Sequence, residues 1–262
     1  MQAQAPSGSV WRCAILVLAA LLILAGIDPA RAESGAVPFD WTELYAGGFA
    51  GVGLADNQIV DIDGFANWGR PGWSVDYDKT GGVGGMLLGK RFDTGLIPLR
   101  VELDATFGSL SADTNRLDPR DLDETARSKY RWITTARAGL EHTVGPVTLF
   151  ASGGLALARI ANAVTDIDFG PDMPTRKDPD DSFSETSTEV GWVVGAGIEA
   201  PLSEVWTLRL EGSYLDFGWS GHEVNRSGNG RCGPGNPRRP CPYRIENTLG
   251  LIRLAIIRRF DW

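Results

Sequence analysis

The chain has 262 residues, and its 25 basic and 33 acidic side chains give a formal net charge of −8. A nucleic-acid partner calls for a basic surface that neutralises phosphates, so this charge balance argues against one. The 33 glycines fit tight turns and strands that approach one another closely.

The first 32 residues are expected to be a helical secretory signal peptide that is removed. Arg12 gives a short positive region, and the apolar run Cys13–Ile27 follows it. This run is shorter than the ~18 residues that a membrane-spanning helix needs, which disfavours the alternative of a membrane anchor. A small-x-small site places the cleavage between Ala32 and Glu33. The mature chain, residues 33–262, is therefore expected to form one exported domain.

Alternation of apolar and polar residues marks the strands of the mature chain. The clearest case begins at Leu99, where Leu99, Val101 and Leu103 share one face and Arg100 and Glu102 share the other. A period of two indicates a strand with one apolar and one polar face. The predicted strands, in chain order, are Trp41–Ala55, Tyr77–Phe92, Leu99–Leu110, Lys129–Thr143, Val147–Ala163, Glu189–Ala200, Trp206–Gly218 and Ile245–Trp262.

Short turns and long loops alternate between these strands. The turns are predicted at residues 93–98, 145–146 and 201–204, and the loops at 56–76, 111–128, 164–188 and 219–244. A tilted strand crosses a bilayer with ~9–11 residues, and closure of the sheet satisfies every backbone group in lipid. We therefore predict an all-β fold, an eight-stranded antiparallel transmembrane β-barrel of up-and-down topology. A soluble β-sandwich is the alternative.

Such barrels lie in the outer membrane of Gram-negative bacteria, with short turns in the periplasm and long loops outside. An even number of strands then places both termini in the periplasm. Aromatic residues near the strand ends match the interfacial girdles of this class. We expect an inner girdle of Trp41, Phe92, Trp206 and Phe260, and an outer girdle of Phe107, Trp132, Trp192 and Tyr214.

The polar face of the strands is rich in charge. An eight-stranded barrel is only wide enough for its own side chains to fill, so we expect arginine–carboxylate pairs to cross-link the interior. The predicted inward charges are Arg100, Glu102, Asp104, Arg131, Arg137, Glu141, Glu199, Arg209, Glu211 and Arg253. These pairs favour a closed polar plug over the alternative, a narrow ion path gated by switching pairs.

Two cysteines remain after the signal peptide. Cys232 and Cys241 are separated by eight residues in the last predicted loop. An even count in an exported chain favours a disulfide that closes this loop. Two thiols without a bridge, or a pair of metal ligands, are the alternatives.

Five segments carry a resemblance to a known family. They are WTELYAGGFAGVG from Trp41, GGMLLGKRF from Gly84, LFASGGLALA from Leu149, GWVVGAGIEAPLSEVWTLRLEGSY from Gly191 and RLAIIRRF from Arg253. The chain resembles the small outer-membrane β-barrel proteins of alphaproteobacteria, which are related to the OmpA-like barrel and are called porin-like or surface immunogenic proteins. The family usually ends at the phenylalanine, whereas Asp261 and Trp262 follow Phe260 here. A second departure is Arg258, where such proteins often carry an outward tyrosine.

The resemblance implies a structural, surface-exposed role in outer-membrane integrity, and we expect no enzymatic activity and no cofactor. Expected partners are outer-membrane lipids and lipopolysaccharide, and the barrel-assembly machinery during biogenesis. A narrow porin-like channel and an adhesin are alternatives, and a ligand of the loops stays unknown. The first three loops are acidic, and weak binding of divalent cations by their aspartates is a further possibility. The last loop is basic and is a candidate for contact with lipopolysaccharide phosphates.

A lipid-modifying enzyme is the remaining alternative. Ser220, His222 and Glu223 lie close in sequence and are the residue types of a hydrolase triad. Neighbours in sequence do not automatically meet in such a geometry, so this alternative ranks below the others.

Overall fold

The computed structural model describes the backbone of residues 43–64, 71–93, 98–114, 125–170, 173–224 and 241–260 and, outside residues 166–181, their side chains. The described residues form eight strands. They are β1 Leu44–Asp61, β2 Trp73–Phe92, β3 Leu99–Thr114, β4 Thr125–Val144, β5 Val147–Gly170, β6 Met173–Pro201, β7 Trp206–Val224 and β8 Cys241–Phe260. The predicted signal peptide, its cleavage site at Ala32 and Glu33, Trp41, Cys232 and Trp262 lie outside these residues.

Each strand pairs antiparallel with its neighbours in sequence, and β1 also pairs with β8, so the sheet closes into a barrel. The register at the closure runs from Leu44 opposite Phe260 to Asp61 opposite Tyr243. No helix within the described residues is long and apolar enough to cross a membrane. The prediction of an all-β, eight-stranded, up-and-down barrel is confirmed.

The two ends of the barrel differ. At the turn end, the strands begin at Leu44 and finish at Phe260, and β4 passes to β5 through Gly145 and Pro146. Gly145 has a φ of 61°, the left-handed value required at the first position of a type II′ hairpin turn. The loop end is the opposite end, where residues 62–72, 115–124, 171–172 and 225–240 connect the strands.

The strands reach further toward the loop end than the alternation predicted. The largest correction concerns residues 164–188, which were expected to form a loop. Instead β5 continues to Gly170 and β6 begins at Met173, with Ala163 opposite Ser184 in the ladder. The outward side chains described there, Ser184, Thr186 and Thr188, are small and polar, so they lack the apolar outward face that identified the other strands.

An apolar band surrounds the turn-end half of the barrel. Its outward side chains include Val52, Leu54, Met86, Leu88, Leu103, Leu140, Leu149, Leu157, Val190, Val194, Ile198, Leu210, Ile252, Leu254 and Ile256, all of them exposed. On β6 the band covers residues 190–200, which matches the ~9–11 residues of a tilted strand that crosses a bilayer. The exposed apolar surface therefore fits a lipid environment.

A bulge on β4 lies at the edge of this band nearer the loop end. Tyr130 pairs with Ile160 and Trp132 pairs with the adjacent Arg159, so Arg131 is an extra residue between two regular pairs. A bulge changes the face on which the following side chains lie. As a result Arg131 is exposed on the outside, which corrects the prediction that it points inward. Tyr130 shares the sequence parity of Trp132, yet it is buried inside.

Candidate functional site

The interior of the turn-end half is filled by an ionic cluster, which we call the ionic plug. Within the described residues it consists of Arg91, Arg100, Arg137, Arg209, Arg253, Glu102, Asp104, Glu141, Glu199 and Glu211. The structure places nine of the ten predicted inward charges in this plug, Arg131 being the exception. The five arginines balance the five carboxylates, so the plug is formally neutral.

Arg137 occupies the centre of the plug. Its guanidinium lies 2.5 Å from Glu102 Oε1 and 3.0 Å from Asp104 Oδ2, and it also pairs with Glu211. Arg209 connects the same Glu102 to Glu199, with N–O distances of 2.6 and 2.8 Å. Because ions taken out of water are costly unless they are paired, this sharing of partners is what makes the buried charges tolerable.

Arg91 closes the plug at the turn end and was not predicted. It comes from β2, whose glycines obscured the alternation in the sequence. Its guanidinium lies 3.0 Å from Glu141 and 2.5 Å from Glu199. A cavity of about 560 Å³ opens outward from this point, lined in part by Arg91, Thr207 and Arg259. The cavity is therefore a vestibule that stops at the ionic plug.

Three aromatic rings line the plug and were also missed. Tyr45 donates a hydrogen bond to Glu102, and the Arg100 guanidinium lies 4.3 Å from the centre of the Phe150 ring. Each ring lies over a glycine directly opposite it in the ladder: Tyr45 over Gly89, Phe49 over Gly85, and Phe150 over Gly197. A Cβ at Gly89 would lie 2.2 Å from the Tyr45 ring. Inward aromatics opposite cross-strand glycines are thus a sequence signal that could have located them.

The interior of the loop-end half has the opposite character. We call it the apolar core. It includes Ala55, Ile59, Val83, Leu110, Tyr130, Ile133, Ile160, Val164, Val193, Leu215, Phe217, Tyr243, Ile245, Leu249 and Leu251, all buried. The alternation predicted arginine–carboxylate pairs across the interior. The apolar core restricts that prediction, because the arginine–carboxylate pairs of the described residues lie in the turn-end half.

The aromatic girdles lie at the edges of the apolar band. Toward the loop end, Trp192 and Tyr214 are exposed on adjacent strands with ring centres 5.5 Å apart, and Phe107 is exposed on β3. Trp132 is half-buried. Toward the turn end, Trp206 is exposed, and Phe92 and Phe260 are half-buried. The Arg258 guanidinium lies 5.5 Å from the centre of the Phe260 ring and 5.8 Å from that of Trp206.

Residues 17–228 match the model of the outer membrane protein beta-barrel domain family. The chain belongs to this family. It is 31% identical over 190 residues to the 31 kDa outer-membrane immunogenic protein of Brucella melitensis, covering 69% of this chain and 72% of that protein. It is 27% identical over 139 residues to a 22 kDa outer membrane protein of Rhizobium leguminosarum bv. viciae, covering 53% and 54%. Both relatives support the resemblance drawn from the sequence, and the chain is an outer-membrane β-barrel protein.

A solved structure agrees with the fold of this outer-membrane barrel. The outer membrane protein OprG from Pseudomonas aeruginosa superposes with a TM-score of 0.54, at 12% sequence identity. The match covers 84% of this chain and 97% of OprG. At this identity the likeness concerns the fold alone.

A chain of polar side chains crosses the apolar core of the barrel. Tyr77 shares a hydrogen bond of 2.8 Å with Ser128, which donates to Asn162 at 2.6 Å. The Asn162 amide nitrogen lies 3.4 Å from Ser220 Oγ and 3.3 Å from His222 Nε2. These contacts satisfy polar groups that would otherwise be costly among apolar neighbours.

The same polar chain ends in a serine–histidine–carboxylate arrangement. Ser220 Oγ lies 3.0 Å from His222 Nε2, and His222 Nδ1 lies 3.2 Å from Glu185 Oε2. The acid is thus Glu185 from β6, and the predicted Glu223 is exposed on the other face of β7. Ser220 Oγ is also within 3.3 Å of the Ile245 carbonyl. The cavities of about 560 and 210 Å³ lie elsewhere, at the turn end and on the outer wall.

The contacts of Glu185 also explain how β6 is held above the membrane band. Backbone pairing between β6 and β7 stops at Trp192 opposite Asp216. Beyond that point Phe183 stacks on His222 with ring centres 5.0 Å apart, next to the Glu185–His222 contact. The triad-like group therefore joins two strands whose backbones are no longer paired, which is a structural role in itself.

Cys241 is the first residue of β8, is buried, and is disulfide-bonded. Cys232 lies outside the described residues, so its pairing with Cys241 stays a prediction. Within the described part of the chain, no group of three or more histidine, cysteine or acidic side chains is placed to hold a metal ion.

Proposed function

We propose that this protein is a non-enzymatic structural barrel of the outer membrane that presents its loop end at the cell surface. The observation that carries the proposal is the filled interior. The ionic plug and the apolar core lie in series along the barrel axis, so any solute would have to pass both. The interior side chains of both regions are buried, apart from the half-buried Arg91 at the turn end.

The energetics of the two regions favour a closed barrel over an ion path. Opening the plug means separating buried pairs, and removing one partner of such a pair costs about 3–5 kcal/mol. An ion that passed the plug would then meet aliphatic and aromatic side chains, where a charge without water or a partner is more costly still. This argument supports a structural role and weighs against the porin-like alternative.

The orientation is part of the proposal. In outer-membrane barrels short turns face the periplasm and longer connections face outward, which supports a periplasmic turn end with both termini there. The Brucella relative is named an outer-membrane immunogenic protein, which supports exposure of the loop end. Lipids would contact the apolar band, and the barrel-assembly machinery would insert the chain. An adhesin role would use the same exposed end.

Conductance of the refolded mature protein in planar bilayers tests the closed interior. We expect no resolved unitary currents, while a general porin reconstituted in parallel conducts. Reproducible currents from the wild-type monomer would overturn the proposal in favour of a channel.

Surface labelling of a cysteine-free variant carrying Gly221→Cys tests the orientation separately. The proposal predicts that this cysteine is labelled on intact cells. Ser203→Cys at the turn end is the matched control and should stay unlabelled.

The Ser220–His222–Glu185 geometry favours hydrolysis as a second candidate function. An active-site serine reacts with a fluorophosphonate probe because the histidine removes its proton. The structural proposal predicts no labelling of the refolded wild type. Labelling that disappears in Ser220→Ala but persists in Ser213→Ala, another β7 serine, would establish a nucleophile and overturn the non-enzymatic assignment.

A further inference from the structure

A row of basic residues lies on the outside of β4, directly beyond the apolar band. Arg127, Lys129 and Arg131 are all exposed. The β4 bulge is responsible for the position of Arg131, which regular alternation would have turned inward. On the neighbouring strand Arg159 lies opposite Trp132 of the outer girdle. We call these four residues the basic ridge.

The ridge differs from the ionic plug because no described residue neutralises its charges. Arg127, Lys129 and Arg131 form no ion pair with any described residue. Arg159 donates a hydrogen bond to the Thr188 hydroxyl at 3.1 Å, and a hydroxyl carries no charge. The nearest outward carboxylate in the ladder is Asp113, opposite Arg127, and the two do not form a salt bridge.

The surface beside the ridge is open and neutral. Across the ladder, Ala161 lies opposite Lys129 and Ala163 lies opposite Arg127. On β6 the next residues in the same rows are Thr186 and Ser184. These small side chains leave room next to the cations and add hydroxyl groups that can donate hydrogen bonds. The outer face of β4, β5 and β6 therefore leaves space for a bulky anionic group beside the basic ridge.

The opposite face of the barrel carries several carboxylates in its loop-end half. There Asp56 lies opposite Asp78 and next to β8, where Glu246 is found. Desolvation, together with the charges of Asp216 and Asp56, raises the pKa of Glu246 above its usual value. An excess of negative charge on this side shows that the ridge is a local feature of one face. A uniformly basic rim would not produce this asymmetry.

The position of the basic ridge relative to the outer girdle indicates which ligand it meets. Trp132 and Trp192 mark the boundary between acyl chains and headgroups, and the ridge begins one residue beyond Trp132. Arginine and lysine at this level meet lipid phosphates, which arginine can bind with two parallel hydrogen bonds. We propose that the basic ridge binds the phosphate groups of lipid A in the outer leaflet. This inference rests on the orientation given under the proposed function.

Native mass spectrometry of the refolded mature protein in neutral detergent tests the ridge without reference to orientation in a cell. The probe is bisphosphorylated lipid A, and the variant is Lys129→Gln combined with Arg131→Gln. The matched control is Lys90→Gln combined with Arg258→Gln, which removes one lysine and one arginine from the outward face of the turn end. We expect the ridge variant to bind about 10- to 30-fold more weakly than wild type and the control to bind within about twofold of it.

Three further arms identify the source of the phosphate. Dephosphorylated lipid A is expected to bind wild type as weakly as the ridge variant binds the intact lipid. Phosphatidylglycerol is expected to bind wild type and ridge variant alike, and inorganic phosphate at about 10 mM is expected not to displace lipid A. Equal affinity of wild type and ridge variant for lipid A would overturn the proposal. Equal sensitivity of phosphatidylglycerol binding to the ridge variant, or displacement by inorganic phosphate, would overturn the assignment to lipid A.

Heat-dependent gel migration checks that both variants fold. If the double variant does not fold, Lys129→Gln alone, outside the bulge, is compared with Lys90→Gln in the same assay. Loss of surface labelling at Gly221→Cys would overturn the orientation while leaving the binding result intact. The two proposals therefore fail in distinguishable ways.

Discussion

In the turn-end half of the barrel, arginines and carboxylates fill the interior and aliphatic residues face outward. In the loop-end half the same strands place aliphatic and aromatic residues inside, and charged residues such as Arg127 and Lys129 outside. The surroundings explain the reversal. Lipid around the first half accepts apolar side chains, whereas water around the second half drives them inward. The turn-end half thus has the side-chain arrangement of a membrane protein, and the loop-end half has an apolar interior like that of a soluble protein.

The reversal has a consequence for stability. In the turn-end half, the stability of the interior does not depend on one ion pair, because each carboxylate contacts two or three arginines. In the loop-end half, stability depends on the packing of apolar volume and on a few satisfied polar groups. Substitutions of matched size in the two halves should therefore lower the free energy of unfolding for different reasons.

The largest expected effect is in the ionic plug. Arg137→Ala leaves Glu102, Asp104 and Glu211 without their shared partner, and we expect the free energy of unfolding to fall by about 3–5 kcal/mol. Urea unfolding in lipid vesicles, followed by tryptophan fluorescence, measures it. Arg131→Ala is the control and should change stability by less than about 0.5 kcal/mol, because Arg131 is exposed and outside the plug. Similar losses in both variants would contradict the assignment of Arg131 to the outer face.

A smaller loss is expected in the apolar core. Ile160 is fully buried, and Ile160→Ala leaves a cavity that should cost about 2–4 kcal/mol. Leu157→Ala is the control on the same strand, since Leu157 faces outward and lipid can fill the space it leaves. The same unfolding assay compares them. A greater loss from Leu157→Ala would mean that the loop-end interior is not a packed core.

The smallest effect concerns one hydroxyl inside that core. Tyr130 donates a hydrogen bond of 2.7 Å to Asn57 Oδ1, and Tyr130→Phe removes it while keeping the ring. We expect a loss of about 1–2 kcal/mol, because the buried amide oxygen loses its donor. Tyr214→Phe, on an exposed ring of the outer girdle, should be nearly neutral. Equal losses of unfolding free energy in Tyr130→Phe and Tyr214→Phe would show that the Asn57 contact contributes nothing to stability.

The sequence predicted the barrel, and the structure placed nine of ten proposed inward charges inside it. The reason is that period-two alternation next to lipid is unambiguous on β3, β6 and β7. It failed at Arg131 because a bulge changes the face on which side chains lie without changing the spacing of apolar residues in the sequence. It failed again on residues 164–188, where the described outward side chains Ser184, Thr186 and Thr188 are small and polar.

A signal of the reversal is visible on β1, which pairs regularly along its length. The apolar residues change from Val52 and Leu54, which face outward, to Ala55 and Ile59, which face inward. Such a change of parity within one strand indicates that the surroundings change from lipid to water. The triad-like group could not be found in this way, because Glu185 meets His222 across strands whose backbones have separated.

The sequence by itself determined how many strands there are, that they close, and that lipid surrounds part of them, because these properties follow from local spacing and from the requirement to satisfy every backbone group in a bilayer. Only the tertiary structure decided which charges meet across the interior, where the ionic filling gives way to apolar packing, and that Arg131 joins a basic surface outside. These features depend on register and on one inserted residue, and a register shift of one position exchanges inside and outside.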